Sequence, residues 1–378
     1  MAGDRKTRRE FVKDATVAAA GITAGLGTAC AVRTAKQPPT DVSKTRSYNE
    51  QMEYRRLGKT GLMLSAVCLG GHWKKIPHKM GTEGFKKNRH DVMSACIDCG
   101  INYVDACMGQ EILAYSEALR GRRDRMFFGF SWYEHEMRSK DWQTAKKLLQ
   151  GFDDGMRKAK LDYVDLWRIT CYWQPHTNHT LAHEEAICEA LEKTKKAGKA
   201  RFGGISTHKH DWAMRMMERY PEQIDVVVVP YTAGSKKAHL RVEPAEDGWK
   251  AAPDDAVPQD KPTASLIDAV KQHDVGWLGI KPFANGSIFR SRGEINPATK
   301  EIDDERARQT LRYVLCNDAL TAPMPGMISV DQVRNAARAV TERRQFDLAE
   351  TERFEQAVAE MWANLPRNYQ WLREWEWV

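Results

Sequence analysis

The 378-residue sequence contains no run of about 20 apolar residues, so it offers no hydrophobic helix long enough to span a bilayer. Its eight cysteines follow no regular spacing and the seven beyond Cys30 are an odd number, so they outline no disulfide framework, and at 378 residues the chain is no small stapled scaffold. Charge is not gathered into blocks of one sign. The 58 Lys and Arg are interleaved with 51 Asp and Glu for a net charge of +7, and no basic cluster alternates with aromatics as a nucleic-acid surface requires. Internal repeats and a Cys-rich iron–sulfur motif are also absent. What remains, 42% hydrophobic and 29% charged residues, is the composition of a globular chain with room for one large domain or two ordinary ones.

At the N-terminus Thr7-Arg8-Arg9-Glu10-Phe11-Val12-Lys13 precedes a mildly apolar, Ala- and Gly-rich run over 15–31. Gly21, Gly25 and Gly27 disfavour a stable amphipathic helix, and the whole resembles a twin-arginine export signal. The expected organisation is a signal peptide over 1–31, a flexible tether over 32–51, a barrel over 52–345, and a C-terminal helix with a Trp-rich tail over 346–378. Cleavage after Ala31 and a lipid tether at Cys30 are both open. Export in the folded state implies a periplasmic location and a cofactor loaded beforehand.

From residue 52 short apolar runs alternate with stretches whose apolar residues recur every three or four positions, the pattern of a parallel α/β protein. Strands are expected over 64–69, 101–105, 126–131, 163–170, 200–206, 225–231, 275–281 and 320–325. Helices such as 88–99, 144–159 and 183–197 lie between them, and Gly100 and Gly198 stand where helix C-caps precede strands. Eight such units predict a (β/α)8 TIM barrel with its site at the strands' C-terminal mouth. The long segment 232–262 follows the sixth strand and is expected over that mouth. Four of the 12 Trp fall within 362–378, which favours a tail docked on the barrel or on a protein partner.

The run Tyr54-Arg55-Arg56-Leu57-Gly58-Lys59-Thr60-Gly61-Leu62, then Ser65-Ala66-Val67-Cys68-Leu69-Gly70-Gly71, resembles the opening of the aldo/keto reductases. Gly100-Ile101-Asn102-Tyr103-Val104-Asp105-Ala106, Leu161 to Leu166, Gly198 to Ser206 and Pro325 to Gln332 follow in that family's order, so the resemblance covers about 53–345. It implies hydride transfer from a nicotinamide cofactor to a carbonyl. A Tyr then supplies the proton, its pKa lowered by a Lys paired with an Asp, and a His orients the substrate.

Asp105 matches that Asp. No Tyr follows in Cys107-Met108-Gly109-Gln110-Glu111, the Lys position falls on Ser131, and the His position on Thr170. The catalytic candidates are therefore Asp105 and a replacement donor from the βα loops, Tyr133, His135 or Tyr172; Tyr115 reads as packing. For the cofactor, NADP or NAD, the resemblance implies Ser206 and Thr207 at the carboxamide and Tyr231 against the nicotinamide. It implies Lys281, Pro282 and Gly286 around the pyrophosphate, and Gly326, Ser329 and Gln332 in the last nucleotide motif. Ile328 stands where an Arg clamps the 2′-phosphate, which weakens discrimination for NADP. A small carbonyl compound or sugar is the implied substrate.

Other readings use other residues. His176, His179 and His183 form a candidate metal set for a hydrolase or lyase. A non-catalytic barrel would bind a ligand or partner through 232–262 and the tail. His72, His208 and His210 follow strand ends and belong near the mouth, and Cys107 is placed for nucleophilic chemistry. Cys96 and Cys99 end a helix, where the dipole disfavours a thiolate, and read as packing.

Overall fold

A computed structural model describes residues 41–73, 75–171, 179–236, 265–294 and 296–378. The expected signal peptide with Cys30, the start of the expected tether, Tyr172, His176 and the 232–262 segment beyond residue 236 lie outside the described residues. No described helix is long and apolar enough to cross a membrane.

Strands β1 (Tyr54–Arg56) and β2 (Met63–Ser65) pair antiparallel. Gly58 in their turn sits at positive φ, and a Cβ there would collide with the backbone of Gly276, so only glycine lets the hairpin press against the barrel. Seven parallel strands follow in sequential order: β3 (Tyr103–Ala106), β4 (Phe127–Phe130), β5 (Val164–Thr170), β6 (Ala200–Ser206), β7 (Val226–Pro230), β8 (Gly276–Ile280) and β9 (Ala322–Pro323). The helices are α1 (Glu83–Asp98), α2 (Gly109–Ala118), α3 (Ala145–Ala159), α4 (Leu181–Lys196), α5 (His210–Arg219), α6 (Leu266–Gln272), α7 (Lys300–Val314), α8 (Val330–Thr341) and α9 (Leu348–Ala363).

Alternation along the strands makes two cores. Tyr103, Phe127, Leu166, Val226, Val228 and Leu278 meet Leu57, Leu62 and Leu64 of the hairpin inside the sheet. Val104, Phe128, Trp167, Val227 and Trp277 face the surrounding helices.

The first of the eight expected strands, over 64–69, is not a full strand. Its start belongs to the hairpin, where the Asn102 side chain accepts from Ser65 N and Ser65 Oγ accepts from Asn102 N, so side chains replace ladder bonds. Only 68–70 reaches the sheet. Cys68 N and Gly70 N donate to Pro323 O and Pro325 O, while Leu69 exchanges bonds with Tyr103 and Asp105, so this segment closes the curled sheet between β9 and β3.

The described part of the expected tether, 41–51, is not loose. Arg46 lies 3.0 Å from the Asp165 carboxylate, and Ser47 Oγ donates to Arg125 O. Burial would raise the pKa of Asp165, but Arg46, Arg123 and Arg201 outweigh it and hold the carboxyl well below the usual range.

The tail docks on its own barrel. After α9, a 3-10 helix over Arg367–Trp375 runs across the C-terminal face, where the Trp375 indole donates to His208 O and Ser235 Oγ donates to Trp375 O. Lys236 pairs with Trp377 in a parallel bridge, which ties the start of the 232–262 segment to the chain's end.

Candidate active site

Asp105 lies one residue before the end of β3, inside the barrel. Arg168 points inward on β5 with the parity of Leu166 and Thr170, and it donates through Nε to Asp105 Oδ1 at 3.1 Å and through Nη2 to Oδ2. Tyr103 Oη donates to the same Oδ1 at 3.2 Å. Both charged side chains are 4% exposed, so burial penalises each; burial works against the guanidinium, but Asp105 outweighs it and pushes the Arg168 pKa up. This cation stays charged.

The network runs on toward the rim. Arg168 Nη1 donates to Thr170 Oγ1 at 2.9 Å, Thr170 and Ser131 share a hydroxyl bond of 2.8 Å, and Ser131 Oγ donates to Glu136. Glu136 also accepts from Trp132 N, Thr170 N and the Trp167 indole, yet burial still raises its pKa. Ser131 and Thr170 thus link Arg168 to Glu136 by hydrogen bonds, and the buried cation beside Asp105 is Arg168 of β5.

A second cluster lies beside the first. Glu111, in the first turn of α2, folds back so that its carboxylate accepts from Cys107 N at 2.8 Å and from His72 N. His72 Nε2 is 3.1 Å from Cys107 Sγ, and His72 Nδ1 is 3.7 Å from Glu111. His72 holds a positive φ of 60°, and a Cβ on Gly71 would collide with the Glu111 carboxylate. Tyr115 Oη donates to Gly70 O and accepts from the Trp73 indole, the packing role expected of it. Burial pushes both the Cys107 thiol and the Glu111 carboxyl up. Tyr133 stands next to them, 6.3 Å from the His72 ring and under the Arg138 guanidinium at 3.9 Å. Burial, with Glu134, raises its pKa and keeps the phenol neutral.

Of the residues singled out from sequence, Asp105 and Tyr133 reach the mouth. His135 does not: its ring lies between Trp132 at 4.2 Å and Trp142 at 4.3 Å, against α3. Tyr231 also departs from expectation, because its parity turns it outward, edge-on to Trp277 at 5.2 Å in the helix-facing core. Ser206 ends β6 with inward parity, and Thr207 is buried after it, accepting from Lys209 N. Lys281, Ala284, Asn285 and Gly286 all hold positive φ, so the loop carrying Lys281 and Pro282 is tightly turned.

Gly326 leaves no space for a Cβ against Gly71 O. Ser329 caps α8 by accepting from Gln332 N, and Gln332 Oε1 accepts from Ile328 N. The His179 and His183 rings lie 5.8 Å apart, edge to face, but one nitrogen of each is turned to backbone: His179 bonds Cys171 O and packs on Trp212, and His183 closes a capping box with Thr180. His208 stacks on Trp371 at 3.9 Å; desolvation, then Lys281, Arg138 and His72, push its pKa well below the usual value.

Sequence reasoning missed Arg168, Glu111 and Glu136. For Arg168 the signal was present, since a basic residue with inward parity on a barrel strand needs a buried acid.

Fold and site define a parallel α/β barrel with its polar chemistry at the strands' C-terminal ends. The model of the aldo/keto reductase family matches residues 80–359, and the chain belongs to that family. It is 24% identical to the uncharacterized oxidoreductase YrpG of Bacillus subtilis (strain 168), over 76% of this chain and 91% of that one. It is also 24% identical to the L-galactose dehydrogenase of Arabidopsis thaliana, over 77% of this chain and 89% of the relative. The fold is shared with an aldo-keto reductase from Klebsiella pneumoniae solved in complex with NADPH, at a TM-score of 0.55 and 17% identity, over 81% and 94% of the two chains.

Proposed function

We propose that this family member is an oxidoreductase that holds NADP or NAD, acts on the carbonyl or alcohol carbon of a small molecule such as a sugar, and is exported by the twin-arginine route to the periplasm. The observation that carries the reading is the buried Asp105–Arg168 pair, a fixed cation that borders Cys107, with the neutral phenol of Tyr133 on the other side of Cys107, whose carbonyl accepts from Tyr133 N. The NADPH-bound relative and the sugar dehydrogenase support the cofactor and the substrate class.

When bound, the cofactor supplies the hydride. Ser206 and Thr207 present hydroxyls at the end of β6, and the left-handed turns of 281–286 suit a backbone wrapped on an anion, so the residues present fit a nicotinamide nucleotide. The Tyr369 and Trp371 rings of the docked tail lie 5.5 Å and 5.7 Å from Lys281 Nζ, beside that turn. Arg168 cannot give up a proton, so its part is to stabilise negative charge developing on the substrate oxygen. Tyr133 gives the proton, with Arg138 over its ring to stabilise the phenolate left behind.

The test is mass spectrometry of small molecules released on denaturing the purified full chain, followed by turnover of a panel of aldoses and ketoses. A near-stoichiometric nicotinamide nucleotide is expected, and Tyr133→Phe should lower kcat by about 100-fold with KM little changed. An unchanged kcat removes Tyr133 from the relay. Export is checked by cell fractionation of an Arg8→Lys, Arg9→Lys double variant, which should stay in the cytoplasm; normal export of that variant would refute the route.

A further inference from the structure

We propose that His72, Cys107 and Glu111 bind one divalent metal ion of the borderline class, Zn2+ being the natural representative, with an open coordination position toward the barrel mouth. One ligand atom from each of the three side chains lies within 4.8 Å of the others. Zinc takes sulfur at about 2.3 Å and nitrogen or oxygen at about 2.0–2.2 Å, so three ligands of one ion stand roughly 3–4 Å apart. The observed separation of 3.1 Å between His72 Nε2 and Cys107 Sγ is already in that range.

The site is built rather than incidental. Glu111 is oriented by two backbone N–H groups, those of His72 and Cys107, which leave it further lone pairs. Gly71 clears the space its carboxylate fills, and His72 keeps a left-handed backbone that turns its ring to the thiol. Such strain persists where the surroundings over-determine it, as at ligand clamps.

A divalent ion would bind Cys107 as the thiolate and Glu111 as the carboxylate, releasing the thiol proton. Arg168 also borders Cys107 and brings positive charge to it, which Asp105 offsets in part.

One side is open. The His72 side chain is 51% exposed and Tyr133 lies beside it, so three protein ligands leave a position for water or a substrate oxygen, as catalytic zinc sites do. Resting on the oxidoreductase reading, the ion would polarise the substrate oxygen at the place where the family's Tyr is missing. The binding itself does not depend on that reading.

The experiment is titration of the purified, reduced full chain with Co2+, then Zn2+. Expected are one equivalent of cobalt with a thiolate-to-cobalt absorption band, displacement by one equivalent of Zn2+, and loss of the band in Cys107→Ser. His72→Asn, which keeps a residue type at home in the left-handed region, should weaken Zn2+ at least about 10-fold against a chromophoric chelator, as should Glu111→Gln. Cys316→Ser, an exposed cysteine away from the cluster, should bind normally. No band in the unaltered chain, a band that survives Cys107→Ser, or full affinity in folded His72→Asn overturns the proposal. Metal binding without any nicotinamide nucleotide would keep the site and remove the oxidoreductase reading; a nucleotide without metal would do the reverse.

Discussion

An arginine inside a barrel wall is destabilising unless a carboxylate meets it, and removing one partner of such a pair leaves the other charge buried alone. Arg168→Met should therefore lower unfolding stability by about 3–5 kcal/mol, while the double variant Arg168→Met, Asp105→Asn should recover most of the loss. Urea denaturation of the four-member cycle measures this; a double variant as unstable as the sum of the singles would dissolve the pair. Asp105 was legible in the sequence because a family-like run carries it. Arg168 was not, because the resemblance directs attention to Ser131 on the preceding strand, and only inward parity with Leu166 and Thr170 marks the arginine. Tyr231 failed by the same parity: it follows Val227 and Val229 into the outer core.

At the scale of elements, strands whose two faces are both buried were read well, since an unbroken apolar run bounded by turns has one interpretation. The expected 200–206 coincides with β6, and 163–170 with β5 but for one residue. Helix α1 starts five residues before the expected 88, at a cap the apolar spacing does not reveal: Thr82 Oγ1 accepts from Phe85 N. The tail's destination was illegible for a different reason, because its partners His208, Ser235 and Lys281 are distant in sequence. Its docking predicts a measurable effect. Trp371→Ala should open the face of His208 and raise the pKa of that imidazole toward its ordinary value, read as a new titration by NMR on histidine-labelled protein. A His208 that stays untitrated across pH 5–8 would show that Trp371 is not what desolvates it.

Across the whole molecule, buried groups of opposite sense set how stability responds to acid. His179, desolvated against Trp212, has its pKa lowered to about 4, so the folded state keeps it neutral while the unfolded chain takes up a proton near pH 6.5. Stability is lost wherever the unfolded state binds more protons as pH falls, which for His179 is the window from 6.5 down to about 4. Glu111 and Glu136 act oppositely: their folded pKa values are raised, so acidification protonates the folded state first and favours it until the unfolded carboxyls follow. Asp165, held low by three arginines, contributes stability that persists through this range and is lost only below the ordinary carboxylate pKa. The contribution of His179 is isolated by difference. His179→Gln should lose about 2 kcal/mol less stability than the unaltered chain between pH 7.5 and pH 5, measured by urea denaturation at both values. Equal losses in the two proteins would mean that His179 titrates alike folded and unfolded, and that its packing beside Cys171 and Trp212 does not hold it neutral.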